Sequence, residues 1–172
     1  MTQPSAPQDK HPTRPERGFQ LQNAHWLWLS GLVILVDQVT KQLVVKNYGL
    51  YDSTRLLEWL NLTLMHNTGA AFSILRGATP WFFVALSVVV AVGILIWLRR
   101  HPHDSRLMAS ALALVLGGAL GNAIDRATRG FVVDFVDFHI GGWHYPAFNV
   151  ADMAICLGAA LLVIDMLLTS RR

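Results

Sequence analysis

Along the chain, long apolar runs alternate with short polar stretches. Four runs stand out, roughly Trp26 to Val45, Trp81 to Leu98, Leu107 to Ala123 and Phe148 to Leu168. Each is near the ~20 residues a helix needs to cross a hydrocarbon core about 30 Å thick. Only helices and closed barrels satisfy their own backbone hydrogen bonds in lipid, and these unbroken runs lack the alternation of barrel strands. The pattern predicts an all-α membrane protein with four transmembrane helices. Between the first two helices, the stretch TRLLEWLNLTLMH (Thr54 to His66) alternates partly and carries threonine and aromatics, which predicts a small β-rich segment on the membrane surface. Between helices three and four, residues from about Thr128 to Ala147 form an outer loop, expected to act as a lid.

Residues 1–20 are polar and proline-rich with almost nothing to bury, which predicts a disordered tail and leaves 21–172 as a single domain. A cleavable signal peptide is the competing reading of the first apolar run. No small-x-small cleavage site follows it, and the run continues through Asp37 and Lys41, so an uncleaved helix is the better reading.

Composition sharpens the membrane reading. The chain is 53% apolar and only 15% charged, whereas a soluble domain carries about 25% charged residues to keep a polar exterior. The net charge of +3 does not point to nucleic acid, because the basic residues sit at the ends of apolar runs and form no stripe. Arg99, Arg100 and Arg106 lie between helices two and three, Lys10, Arg14 and Arg17 precede helix one, and Arg171 and Arg172 follow helix four. This bias predicts that both termini are cytoplasmic, although the outer loops hold Lys46, Arg55, Arg76 and Arg129 thinly spread among acids. The single cysteine, Cys156, forms no intrachain disulfide and reads as a small buried apolar residue. Gly117, Gly118 and Gly121 in the third helix, with Gly158, Ala159 and Ala160 in the fourth, would permit close helix contact.

With this topology the polar residues converge on the outer leaflet. Asp37 and Lys41 fall in the outer half of helix one, Asn122 and Asp125 at the outer end of helix three, and Asn149 and Asp152 at the outer start of helix four. The outer segment MHNTGAAF (Met65 to Phe72) adds Asn67 and Gly69, with small residues able to approach a polar site. Asp37 and Lys41, four apart with the acid first, suit an intrahelical ion pair. Arg126 beside Asp125 would hold that carboxylate ionised and fixed. Asp165, near the inner end of helix four, is expected to snorkel to water or pair with a terminal arginine.

Two carboxylates close together in a poorly solvated site cannot both ionise easily, so one keeps a proton while the other serves as a base. Such a pair suits peptide hydrolysis. The repeated asparagine-x-x-aspartate pattern suggests Asp125 and Asp152 as partners, whereas the lack of an adjacent cation favours Asp134 and Asp152; spacing leaves the choice open. Asp137 lies nearby without a clear role. The outer histidines His66, His139 and His144 match no compact ligand pattern, so no metal is expected. Ser73 has no nearby base, which argues against a serine nucleophile. A small transporter or proton-conducting subunit would spread its acids over several depths and show an inverted repeat. Here the acids cluster at one face. A non-catalytic assembly factor would need no paired acids.

Five motifs resemble those of the bacterial lipoprotein signal peptidase family, also called signal peptidase II: DQVTK (Asp37 to Lys41), HNTGAAFS (His66 to Ser73), GNAIDR (Gly121 to Arg126), GFVVDFVDF (Gly130 to Phe138) and FNVAD (Phe148 to Asp152). The resemblance covers everything after the tail. It implies an intramembrane aspartyl endopeptidase without metal or cofactor, which removes the signal peptide of diacylglyceryl-modified prolipoproteins by cutting just before the lipidated cysteine. By motif position it implies Asp134 and Asp152 as the catalytic dyad. Asn67, Gly69, Asn122, Asp125, Arg126 and Asn149 follow as residues that bind substrate or support the dyad, with Asp37 and Lys41 as further supports. It also implies a multi-pass monomer in the bacterial inner membrane with its site and β-rich segment toward the periplasm. Membrane lipids would surround it, and the cyclic peptide inhibitor globomycin would bind the substrate groove.

Overall fold

In a computed structural model, residues 23–69, 79–100 and 106–170 are described. The predicted tail, most of the small-residue stretch after Gly69, and Ser73 lie outside the described residues. After one 3₁₀ turn, Ala24–Trp26, the chain forms α1 (Leu27–Asn47), β1 (Ser53–Leu57), β2 (Leu60–Asn67), α2 (Pro80–Arg100), α3 (Arg106–Arg129), β3 (Val132–Ile140), β4 (Trp143–His144) and α4 (Val150–Thr169). All four helices are long and apolar enough to cross a membrane. The chain is a multi-pass membrane protein.

Helix α1 buries polar residues and exposes apolar ones, an arrangement that suits a protein whose solvent is lipid. Along α1, Ser30, Asp37 and Lys41 are buried while Leu35 is 60% and Val39 48% exposed. Lipid solvates the exposed aliphatic side chains, and the bundle interior solvates the charged ones. Helix α3 packs against each of the other three and is the most buried. An apolar cluster of Ala91, Ile94, Leu98, Ala109 and Leu116 seals α2 to α3.

Glycines set how closely α3 is approached. A Cβ at Gly118 would collide with the Ala151 carbonyl oxygen, and one at Gly158 would meet the Ala111 carbonyl oxygen at 2.6 Å. A Cβ at Gly117 would meet Val33 Cβ at 2.8 Å, so the same helix is closely approached by α1. The expectation for the small residues therefore holds for the glycines. It fails for Ala159 and Ala160, which are exposed on the outer face of α4. One other expectation needs correcting: Cys156 is exposed. Asp165 is buried, which removes water from its two expected fates, and the terminal arginines of the other lie outside the described residues.

The main departure from the expected fold lies between α3 and α4. Helix α3 continues to Arg129, and the expected outer loop is largely β-structure. Gly130, at φ +81°, ends the helix with its N–H donating to the Arg126 carbonyl at 3.1 Å, a left-handed cap that a side chain would resist. The chain then enters β3, turns through Gly141 and Gly142, both at positive φ, and returns as β4. The four strands form one antiparallel sheet in the order β1-β2-β3-β4. The β-rich segment expected between α1 and α2 thus supplies half of a sheet completed from the second connection. The strand of that connection read as a loop because its sequence, GFVVDFVDFHI, has neither a helical period nor a strict two-residue alternation. Val44, Leu64, Val133 and Phe135 pack the end of α1 against this sheet.

Candidate active site

Asp134 is the third residue of β3, opposite Met65 of β2. A register shift in β2 between Leu62 and Met65 re-aims the following residues, and Asn67 Nδ2 donates to Asp134 Oδ2 at 3.0 Å. The segment after β4 folds back on β3: Phe148 pairs with Val136, and its carbonyl accepts the N–H groups of Phe135 and Val136 at 3.1 and 2.9 Å. This return brings Asn149 beside Asp134.

Asn149 also starts α4. Asparagine in extended backbone is a favoured N-cap, and an acid three residues later can close a capping box. Both bonds form: Asn149 Oδ1 accepts the Asp152 N–H at 2.9 Å, and Asp152 Oδ2 accepts the Asn149 N–H at 3.3 Å. The amide of the same asparagine donates to Asp134 Oδ1 at 2.7 Å. One residue therefore caps the helix and links the two acids. Asp152 Oδ1 accepts from Asn122 Nδ2 at 2.8 Å, so each carboxylate has both oxygens hydrogen-bonded.

Asp134 is 2% exposed. Burial, followed by the charge of Asp152, pushes its carboxyl up to about 7; the amides of Asn67 and Asn149 and the charge of Lys41 oppose that rise. Both acids line a cleft of about 710 Å³ whose walls include His66, Gly69, Arg126, Tyr145, Phe148 and Met153. Helix α4 lines it with Met153 and Ile155 beside Asp152, and Asn67, Asp134, Asn122 and Arg126 supply the other polar groups.

Beneath the cleft is a second charge cluster. Lys41 is fully buried, and its ammonium reaches Asp37 Oδ2 at 2.9 Å, Asp125 Oδ2 at 3.0 Å and Asn122 Oδ1 at 2.9 Å. The expected Asp37 to Lys41 pair is present. The expected Asp125 to Arg126 pair is not: Asp125 is held by Lys41 and by Arg129, one turn further along α3. Adjacent residues on a helix point about 100° apart, whereas residues four apart share a face. Arg126 instead donates from Nη2 to the Gly69 carbonyl at 2.8 Å and lies over the Phe83 ring at 4.7 Å. Gly69 in turn donates its N–H to Asn67 Oδ1 at 3.0 Å, so Arg126 anchors the segment that carries Asn67.

All ten residues named from the sequence thus lie in or directly beneath one cleft. Sequence reasoning missed Gln38, whose amide touches Asp37, the Gly121 carbonyl and Asp125, and Arg129. Arg129 had a signal, its four-residue spacing from Asp125, and Gln38 was a polar residue inside an apolar run. Asp137 lies away from the cleft, bonded to Asn61, Thr63 and His144. Burial works to raise its carboxyl, but those bonds, His144 first, hold it below its ordinary value. His66 stacks on Phe131, and His139 on His144. Among the described residues no three His, Cys, Asp or Glu side chains converge to hold a metal.

Fold and cleft together define a class: a multi-pass membrane protein with two acids linked at the end of its bundle where strands cover the helices. The profile of the signal peptidase (SPase) II family matches residues 29–168. The chain is 47% identical to a lipoprotein signal peptidase of Alteromonas mediterranea over 86% of this chain and 83% of that one. It is 50% identical to one of Coxiella burnetii over 84% and 90%. Its fold matches a bacterial membrane enzyme solved by the in meso method, with TM-score 0.77 and 32% identity, covering 86% of this chain and 90% of that one. The chain belongs to the signal peptidase II family of aspartic peptidases, whose activity is the removal of signal peptides from prolipoproteins.

Proposed function

We propose that Asp134 and Asp152 are the catalytic dyad with which the protein cleaves diacylglyceryl-modified prolipoproteins just before the lipidated cysteine. The observation that carries this reading is the double role of Asn149, which hydrogen-bonds Asp134 and caps the helix turn holding Asp152. In this reading Asp134, deeply buried with its carboxyl pushed up to about 7, is the member that holds the proton, and Asp152 serves as the base. Asp152 takes a proton from water as the water oxygen adds to the scissile carbonyl carbon, and Asp134 protonates the carbonyl oxygen. As the C–N bond breaks, Asp152 passes the proton it took from water to the leaving nitrogen, and Asp134 recovers its own from a hydroxyl of the gem-diol, which leaves a carboxyl product and restores the starting pair. The two titrations belong to the pair.

The cleft suits such a substrate. Its apolar α4 side, with Met153 and Ile155, faces acyl chains that remain in the bilayer, while Asn67, Asn122 and Arg126 meet the peptide. Globomycin, a cyclic peptide, would occupy the same cleft. Four crossings place the two ends of the described chain on one side and the sheet on the other. The arginines at positions 99, 100 and 106 support a reading with the ends in the cytoplasm and the sheet in the periplasm of a bacterial inner membrane; that the chain acts as a monomer is part of the same proposal.

The test is cleavage of a prolipoprotein in detergent, with and without prior lipidation. Asp134→Asn and Asp152→Asn are expected to abolish turnover of the lipidated form while keeping the wild-type melting temperature within a few degrees. Near-normal turnover in either variant refutes the dyad. Equal cleavage of the unlipidated form refutes the substrate.

A further inference from the structure

The buried cluster under the cleft is connected to the dyad through the backbone. Asp37 Oδ1 accepts the N–H of Ala151 at 2.9 Å, and Asp125 Oδ2 accepts the N–H of Val133 at 3.0 Å. These are the residues immediately before Asp152 and Asp134. The Ala151 N–H is one of the first-turn donors that a helix cannot satisfy itself, and a carboxylate there also meets the positive end of the helix dipole. Here that carboxylate comes from α1. The Val133 anchor comes from α3.

Both anchoring acids share one cation. Lys41 spends one donor on each of them and its third on Asn122, the residue that holds Asp152. Gln38 bridges the same two acids, donating to Asp37 Oδ2 at 3.1 Å and to Asp125 Oδ1 at 3.2 Å. Asp125 carries the second cation, Arg129, so two acids and two cations balance. Space for Asp37 is left by Gly121, where a Cβ would meet Asp37 Oδ2 at 2.7 Å and Ala151 Cβ at 3.5 Å.

We propose that Asp37, Lys41, Asp125 and Gln38 form one clamp that fixes the separation of Asp134 and Asp152 by holding the backbone N–H that precedes each, with Gly121 setting its seat. This rests on the dyad reading above and gives the supporting residues a common task. None of the four clamp side chains lines the cleft, and they reach it only through Asn122, so they are positioning residues. Neither acid acts alone, because moving one drags Lys41 and with it the other.

The experiment is a double-mutant cycle on the detergent-solubilised full chain, reading kcat, KM and melting temperature with a lipidated prolipoprotein. Misplacement of reacting groups by about 1 Å costs roughly 10²-fold in rate. Asp37→Asn and Asp125→Asn should each lower kcat by roughly that order with KM within about twofold, and the double variant should lose little beyond the worse single, as expected of residues acting as a unit. Losses that multiply overturn the clamp. Gly121→Ala keeps every charge and donor and decides the matter if the double variant does not fold. It should lower kcat, leave KM unchanged and shift the pH optimum, because the acids then repel one another differently. A Gly121→Ala enzyme with wild-type kcat and pH profile overturns the clamp. Asp134→Asn, measured alongside, separates the two readings: an active Asp134→Asn refutes the dyad, whereas an inactive one beside a normal Gly121→Ala refutes the clamp alone.

Discussion

Asn149 donates its side-chain amide to Asp134 Oδ1 at 2.7 Å while its side-chain oxygen accepts the Asp152 N–H at 2.9 Å. Helix capping and site assembly therefore use opposite ends of one amide. The two tasks can be separated. Asn149→Ser keeps an N-cap oxygen but is too short to reach β3, and serine caps about as well as asparagine. The melting temperature of this variant should stay near that of the wild type, while kcat falls at least about tenfold, since the lost bond is one of two holding Asp134 in place. A fall in melting temperature with kcat intact would mean that the cap is its whole contribution.

The raised titration of Asp134 predicts how the protein responds to pH. Its carboxyl titrates near 7 in the folded state and near its ordinary value of 3.8 when unfolded. Between those values the folded state binds more protons, so this group's contribution to stability falls as pH rises from about 4 to 7. Activity needs one proton on the pair and should decline as pH rises beyond about 7. Chemical denaturation across this range should show a shallower pH slope for Asp134→Asn than for the wild type. An unchanged slope would show that Asp134 is not the group responsible.

Glycine spacing makes a third prediction, on the packing of α3 against α4. Gly118→Ala places a Cβ against the Ala151 backbone oxygen, which cannot rotate away, and should destabilise the fold by about 1–3 kcal/mol. At Gly93 nothing lies within 4 Å of the added Cβ, and Gly93→Ala should change stability by no more than about 1 kcal/mol, in the stabilising direction expected for a helix. Thermal melts in detergent distinguish the two. Because Ala151 precedes Asp152, Gly118→Ala should also lower kcat.

The helices were legible because lipid imposes one simple demand, a run of apolar residues long enough to cross it, and the chain meets that demand four times. The expected spans differ from the observed ones by a few residues, except at α3. There the helix continues to Arg129 through Asp125 and Arg126, since neighbouring strands and α1 bury that polar turn. Some candidate residues were legible for a related reason: a charge inside an apolar run costs too much to be incidental, which singles out Asp37 and Lys41.

Pairing was not legible. Helical spacing links residues within one element, so it found Asp37 with Lys41 but, by adjacency, linked Arg126 with Asp125 in place of Arg129. The sequence by itself determined four spans and the end of the bundle where the polar residues gather. The tertiary structure alone decided that the connection after α3 is a strand beside β2, and that its return carries Asn149 to Asp134. It also decided that Lys41 joins two acids from different helices. Strand pairing and buried ion networks depend on residues far apart in the chain, and no local period records which of them will meet.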